Sequence, residues 1–274
     1  MKKMFGIIGN PVKHSLSPWL HNYWFEKYQI EANYSLLEIQ ENQIEKTIDN
    51  IRNKKLNGVN VTLPFKQKVI PFVDKLSSSA RDSNSVNTIL LDSEEKIVGE
   101  NTDIYGLLSG YFKKIINKPA NLKALIIGAG GVAPSVFVAL KQSSITNITV
   151  INRTYEKSIF LKKKFPDLKL LQWSKIQDAI KNFDIIINAT SLGLKNNDDF
   201  NFLFKDFKSS LIYIDSIYNP METKMIKHLK NKGVKTFNGL DMFIYQGQKS
   251  FYLWNKVNPE IDDSLIELLV SKLR

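Results

Sequence analysis

The chain has 274 residues, is 43% hydrophobic and carries a formal charge of +11. That is apolar material for one large core or two moderate ones, no apolar stretch has membrane-spanning length, and the lack of cysteine excludes a disulfide framework and a thiolate nucleophile. The three histidines are scattered and suggest no metal cluster, and the lysines are spread along the chain, so the charge reads as a modest pull on anionic small molecules rather than as a nucleic-acid footprint.

The opening residues alternate between strand and helix patterns. Phe5 to Gly9 reads as a buried strand, not a secretion signal, because Gly9, Asn10 and Pro11 end the apolar run. Ser17-Pro18 reads as an N-cap followed by proline at N1, opening a helix through about Lys27. Asn33 to Leu37 suggests a strand, and Glu41 to Lys54 a surface helix with Ile44, Ile48 and Ile51 on its buried side. Gly58 to Thr62 is a short strand, Leu63-Pro64 a turn and Val69 to Leu76 a helix. Val86 to Leu91 and Lys96 to Gly99 fit a hairpin crossing Asp92 to Glu95.

Asn101-Thr102-Asp103 then starts a helix over Ile104 to Ile116, and Asn117 to Ala120 separates that helix from a second series of strands. Six strand-like runs make up this series: Lys123–Ile127, Ile148–Ile151, Leu168–Leu171, Ile185–Asn188, Leu211–Asp215 and Val234–Phe237. With helices between several of them, the spacing suits a parallel sheet built by crossovers. Asn238-Gly239 breaks the pattern, and Met242 to Arg274 is mostly helical, interrupted near Asn258-Pro259.

Two signals carry chemistry. The first is Gly128-Ala129-Gly130-Gly131-Val132-Ala133 after the apolar run ending at Ile127. It reads as a phosphate-binding turn between strand and helix: Gly128 permits the tight turn, Gly130 admits the pyrophosphate, and Gly131 and Ala133 keep the helix start small. An ordinary strand-to-helix turn is the alternative. The second signal is Asn152-Arg153-Thr154 at the end of the next strand. An acid there would bind the ribose hydroxyls of NAD. Arg153 instead suits the 2′-phosphate of NADP, with Asn152 and Thr154 adding donors.

In the first hundred residues, Ser15 and Ser17 have hydroxyls suited to an anion, although Ser17 serves equally well as a helix cap. Lys66 and Asp103 do not stand out by spacing: a lysine there suits solvent, and Asp103 suits a helix N-terminus.

Taken together, the chain resembles the shikimate dehydrogenase family. The resemblance runs from Gly9 to Gln246 and rests on Gly9-Asn10-Pro11, His14-Ser15-Leu16-Ser17-Pro18, Asn60-Val61-Thr62-Leu63-Pro64 with Lys66, Val86-Asn87-Thr88, Asn101-Thr102-Asp103, the Gly128 turn, Asn152-Arg153-Thr154, Asn188-Ala189-Thr190-Ser191-Leu192-Gly193, Asp215 to Pro220 with Thr223, and Gly239-Leu240-Asp241-Met242 with Gln246. It implies two α/β domains, an N-terminal substrate-binding domain and a Rossmann-type NADP-binding domain, with C-terminal helices returning to the first. The expected boundaries are 1–102, 103–237 and 238–274.

The implied reaction is reversible NADPH-dependent reduction of 3-dehydroshikimate to shikimate, in the cytoplasm, without metal, nucleic acid or membrane. The resemblance places Lys66 and Asp103 beside the reacting oxygen, with Lys66 as proton donor. It places Ser15 and Ser17 on the substrate carboxylate with Tyr218 closing over that end, and Thr62, Asn87 and Gln246 on the ring or its hydroxyls. It assigns the cofactor to the Gly128–Ala133 turn, Asn152, Arg153, Thr154 and Thr190, with Gly239 and Met242 bordering the nicotinamide. Asn84-Ser85 and Leu194 depart from the family pattern, which usually has Gly-Ala and methionine there.

A broader quinate/shikimate dehydrogenase using NAD is the nearest alternative, and Ser15, Ser17 and Arg153 lean away from it. A non-catalytic NADP-binding regulator is a second, and it would need neither Lys66 nor Asp103. Monomer and homodimer both fit the sequence.

Overall fold

The computed structural model describes residues 2–115, 121–194 and 199–273. It divides into two compact units, one comprising Met1–Gly106 and Ile244–Lys272, the other built on Leu107–Phe243.

The first unit holds a mixed six-stranded sheet of β1 (Lys3–Gly9), β2 (Ala32–Glu38), β3 (Gly58–Val61), β4 (Lys75–Leu76), β5 (Thr88–Leu91) and β6 (Ile97–Glu100), in the order β2-β1-β3-β5-β6-β4. β1 runs parallel to both neighbours, placing Ile8 opposite Leu37 and Val61, whereas β3, β5 and β6 pair antiparallel. Ile44, Ile48 and Ile51 recur at helical spacing and pack with Val59, Val61, Val86 and Ile89 in one apolar cluster.

Three local expectations need correction. Ser17 is the first residue of the helix Ser17–Lys27 rather than its cap; Leu16 stands at the cap, and the Ser15 hydroxyl accepts from the Ser17 N–H at 3.2 Å. A single 3₁₀ turn, Glu41–Gln43, precedes a shorter helix, Ile44–Arg52. Val69 to Leu76 is not a helix. Only Ile70–Phe72 makes a 3₁₀ turn, after which Val73 is extended and Lys75–Leu76 pairs beside Val98 and Gly99. Pro71 offers no N–H to continue a helix, and Asp74 finds its partners across the sheet, its N–H on the Ile97 carbonyl at 2.9 Å and its carboxylate accepting from the Ile97 N–H at 2.7 Å.

Asn84, where the family usually has glycine, closes the helix Ser78–Ser83 in the left-handed region (φ 50°), a conformation asparagine tolerates. The C-terminal helices belong to this unit. The Phe251 ring lies tilted against Phe25, centroids 5.2 Å apart, Trp254 Nε1 donates to the Ile89 carbonyl at 3.2 Å, and Trp24 Nε1 donates to the Glu260 carbonyl at 2.9 Å. Asp262 caps the last helix, Asp263–Ser271, accepting from the Leu265 N–H at 2.8 Å.

The second unit holds an all-parallel sheet of β7 (Lys123–Ile127), β8 (Asn147–Ile151), β9 (Lys169–Leu171), β10 (Ile185–Asn188), β11 (Ile212–Asp215) and β12 (Lys235–Phe237). Its order, β12-β11-β10-β7-β8-β9, is that of a Rossmann fold, with the strand order reversing between β7 and β10. The central strands are mostly apolar, as suits a sheet covered by helices on both faces; Ile185–Asn188 is buried throughout. The helix expected over Ile104–Ile116 starts at Asp103, and a π-helical turn, Leu108–Phe112, interrupts it. Ile116 itself, the expected break at Asn117–Ala120 and the terminal Arg274 lie outside the described residues. Among the described residues no helix is long and apolar enough to cross a membrane.

Candidate functional site

In the first unit the centre is an ion pair. Lys66 Nζ lies 2.6 Å from Asp103 Oδ2, with side chains 13% and 5% exposed. Lys66 sits in the turn after β3, just beyond Thr62-Leu63-Pro64-Phe65, while Asp103 opens a helix after β6. The other carboxylate oxygen, Oδ1, accepts from Asn87 Nδ2 at 2.8 Å. Asn87 also reaches Gln246 Oε1 at 3.4 Å, and its own Oδ1 accepts from the Thr102 N–H at 2.7 Å. Four residues named from the sequence thus converge: Lys66, Asn87, Asp103 and Gln246. A buried carboxylate with one oxygen on an ammonium and the other on an amide stays compatible with its charge.

Beside this group lies a buried polar layer to whose members the sequence assigned no role. Asn60 in β3 accepts from the Tyr34 hydroxyl at 2.7 Å and donates to Ser250 Oγ and Thr88 Oγ1, each at 3.0 Å. Ser250 in turn meets Thr102 Oγ1 at 3.1 Å. A polar residue inside an otherwise apolar buried strand, as in Gly-Val-Asn-Val, was the available signal. Ser15 and Ser17 are together, their hydroxyls 3.1 Å apart. Ser17 is freed of the capping role and is buried, while Ser15 is half-buried. Thr62 is half-buried, and its methyl stands where a side chain on Gly9 would be. His21 is buried, its ring stacked on Tyr34 at 4.4 Å, and burial pushes its pKa down to about 3, which keeps the imidazole neutral.

In the second unit, Gly128 leaves β7 at φ 110°, a conformation that favours glycine. A Cβ there would sit 2.7 Å from the Thr190 methyl and 2.9 Å from the Ala189 carbonyl. Gly128 and Thr190 are thus neighbours across the β7/β10 reversal, the point where doubly wound folds bind ligands. At Gly130, by contrast, a Cβ would meet nothing within 4 Å. That open, exposed backbone, followed by the half-buried Gly131 and Val132 and the helix Ala133–Gln142, fits a pyrophosphate approaching a helix N-terminus.

Asn152 is already engaged: its Oδ1 accepts from the Ala129 N–H at 3.1 Å and its Nδ2 donates to the Thr154 carbonyl at 2.8 Å. Its side chain ties the glycine turn to the next strand end, beyond the simple donor role expected of it. Arg153 and Thr154 are exposed there. Beneath Thr190, Asn188 Oδ1 accepts from the Thr190 hydroxyl at 2.6 Å and Asn188 Nδ2 donates to Asp215 Oδ1 at 2.9 Å. Asp215 also accepts from the Thr223 hydroxyl at 3.0 Å and the Ile217 N–H at 3.1 Å. Burial raises its pKa to about 6 against these donors.

Tyr218 follows β11, with its ring 4.8 Å from Phe243. Gly239 packs so closely that a Cβ would collide with the Ser216 carbonyl, and Met242 is buried.

A Rossmann-ordered sheet with an open glycine turn, accompanied by a mixed-sheet unit that buries a lysine–aspartate pair, defines a two-unit α/β protein with a nucleotide-binding domain. A family model described as the shikimate dehydrogenase substrate binding domain matches residues 7–89, and one described as shikimate / quinate 5-dehydrogenase matches residues 111–215. The chain is 48% identical over 269 residues to a shikimate dehydrogenase (NADP(+)) of Pelagibacter ubique, covering 98% of this chain and 99% of that protein. A crystal structure of shikimate dehydrogenase from Aquifex aeolicus superposes with a TM-score of 0.88 at 34% identity, covering 98% of this chain and 97% of that one. The Thermus thermophilus enzyme, solved in complex with NADP(H) and shikimate, gives a TM-score of 0.85 at 29% identity, covering 99% of this chain and 100% of that one. The chain belongs to the shikimate dehydrogenase family.

Proposed function

We propose that this protein catalyses the reversible NADPH-dependent reduction of 3-dehydroshikimate to shikimate in aromatic amino-acid biosynthesis. The observation that carries the reading is the buried Lys66–Asp103 pair at 2.6 Å, with Asn87 and Gln246 beside it. The names of the Pelagibacter and Thermus relatives support the substrate and cofactor.

Bound NADPH supplies the hydride for the ketone carbon and, as NADP, accepts it in the reverse direction. The chain's residues do the rest. As carbonyl becomes alkoxide, the Lys66 ammonium stabilises the growing charge and passes a proton from Nζ to that oxygen. Asp103 holds Lys66 in place and accepts a hydrogen bond from the product hydroxyl. In shikimate oxidation the neutral Lys66 amine takes the hydroxyl proton. Asn87 fixes the Asp103 carboxylate and, with Thr62 and Gln246, holds the ring hydroxyls. Ser15 and Ser17 hydrogen-bond the substrate carboxylate.

The Gly128–Ala133 turn and Thr190 would hold the pyrophosphate, Arg153 and Thr154 the 2′-phosphate, with Asn152 bracing the turn. Gly239 and Met242 would border the nicotinamide. Lys66 supplies the positive charge at the reacting oxygen, so the step calls for no metal; monomer and homodimer both suit it, and a supply of reduced NADP suits a cytoplasmic setting.

The test follows absorbance of the reduced nicotinamide with purified protein and shikimate or quinate, each with NADP or NAD. Rapid NADP reduction by shikimate is expected. Preference for quinate with NAD would replace this reading with the broader-specificity one.

A further inference from the structure

Tyr111 lies in the π-helical turn Leu108–Phe112 and is 1% exposed. Its hydroxyl donates to the Asn238 carbonyl and accepts from the Met242 N–H, the latter at 3.2 Å. Both partners are main-chain atoms of one corner, where β12 passes into the helix Leu240–Asn255. The Met242 N–H belongs to that helix's first turn, whose amides have no partner within the helix. Tyr111 therefore caps a helix from outside while gripping the chain that enters it.

The rest of the corner is held as closely. A Cβ on Gly110 would sit 3.1 Å from the Met242 nitrogen, so the π turn approaches the corner backbone directly. From the other side Gly239 donates to the Ile217 carbonyl at 2.8 Å, and its α-carbon faces the Ser216 carbonyl. The Asn238 side chain accepts from the Leu240 N–H and donates to the Met221 carbonyl, each at 3.1 Å. The corner is thus clamped between the π turn and the loop after β11. Phenylalanine at 111 would fill nearly the same volume, so what the hydroxyl adds is register. A π turn carries an extra residue relative to an α-helical one and recurs at functional sites.

We propose that Tyr111 is a positioning residue for the nicotinamide end of the cofactor, acting through the Gly239–Met242 backbone it pins. This rests on the reading that Gly239 and Met242 border the nicotinamide. Hydride transfer is sensitive to small displacements of the reacting atoms, whereas the phosphate end is held separately by the glycine turn.

The experiment compares wild type with Tyr111→Phe, with Gly110→Ala, which crowds the same corner while keeping the hydroxyl, and with Lys46→Ala, exposed on the helix Ile44–Arg52, as a surface control. Three quantities are read: kcat and KM with shikimate and NADP, the primary deuterium isotope effect with shikimate labelled at the carbinol carbon, and the emission of NADPH bound without substrate. Tyr111→Phe is expected to lower kcat about fivefold to tenfold, the size of one lost buried hydrogen bond. It should also raise the isotope effect and shift bound-NADPH emission toward that of the free cofactor, with shikimate KM and NADPH Kd held within about twofold. Should Tyr111→Phe fail to fold, Gly110→Ala is expected to give the same kcat, isotope and emission changes, and Lys46→Ala none. A folded Tyr111→Phe, or in its place a folded Gly110→Ala, with wild-type kcat, isotope effect and emission would overturn the proposal. Wild-type protein that neither oxidises shikimate nor alters NADPH emission would overturn the underlying nicotinamide assignment, and this inference with it.

Discussion

Asp103 divides its two carboxylate oxygens between Lys66 Nζ, at 2.6 Å, and Asn87 Nδ2, at 2.8 Å. Charge and orientation thus come from different partners. The lysine meets one oxygen with its charged group, and the amide fixes the plane of the carboxylate. Removing either end has a distinct signature.

In the proposed mechanism Lys66→Ala removes both the proton donor and the charge that stabilises developing alkoxide. A kcat loss of about 10²- to 10⁴-fold is expected, the usual contribution of a positioned acid or base. NADPH affinity, measured by fluorescence titration, should stay near wild type. A variant with near-normal turnover would remove Lys66 from the mechanism.

In the proposed mechanism Ser15→Ala acts on capture, not chemistry. Its hydroxyl, 3.1 Å from that of Ser17, is assigned to the substrate carboxylate. A hydrogen bond to a charged group contributes about 1.5–3 kcal/mol, so shikimate KM should rise about 10- to 100-fold with a smaller change in kcat. Steady-state kinetics at saturating NADP decide it, and an unchanged KM would count against the assignment.

Arg153→Asp reverses the charge at an exposed position after β8. Loss of a charge-assisted contact to the 2′-phosphate, with repulsion added, should raise the KM for NADP by at least about tenfold. The KM for NAD, which lacks that phosphate, should move much less. Equal losses for both cofactors would sink the assignment.

Asp215 makes stability depend on pH in an unusual direction for a carboxylate. Its pKa is raised from 3.8 to about 6, first by burial, so its contribution favours the fold below about pH 4 and is lost as pH rises through about 6. The shift of about two units corresponds to about 3 kcal/mol. Urea unfolding of wild type and Asp215→Asn at several pH values separates this group from carboxylates such as Asp74, whose pKa Arg52 lowers. The stability difference between the two proteins should change in the variant's favour between pH 4 and 6.5 and then level off. A pH-independent difference would show that the group titrates elsewhere.

Much of the fold was legible because its signals are local. Apolar runs such as Ala124–Ile127 and Ile185–Ile187 bury every residue, so strand identity survives without tertiary knowledge. The glycine turn was legible for the same reason: φ 110° at Gly128 is a property of one residue and its neighbours. Val69 to Leu76 misled because its apolar residues suit a helix, while the partners that make it a strand, Ile97 to Gly99, arrive from later in the chain.

By itself, then, the sequence determined the described strands other than Lys75–Leu76, the glycine turn, the cation at Arg153 and the membership of motifs. Only the tertiary structure decided that Lys66 meets Asp103, that Asn152 is spent on bracing the turn, that Asn188 and Asp215 form a buried pair under Thr190, and that the Tyr111 hydroxyl reaches Asn238 and Met242. The physical reason is range. Backbone preference and hydrophobic period act over a few residues and are written in order along the chain. A hydrogen bond between side chains far apart in sequence depends on sheet order and burial, and these exist only once the chain has folded.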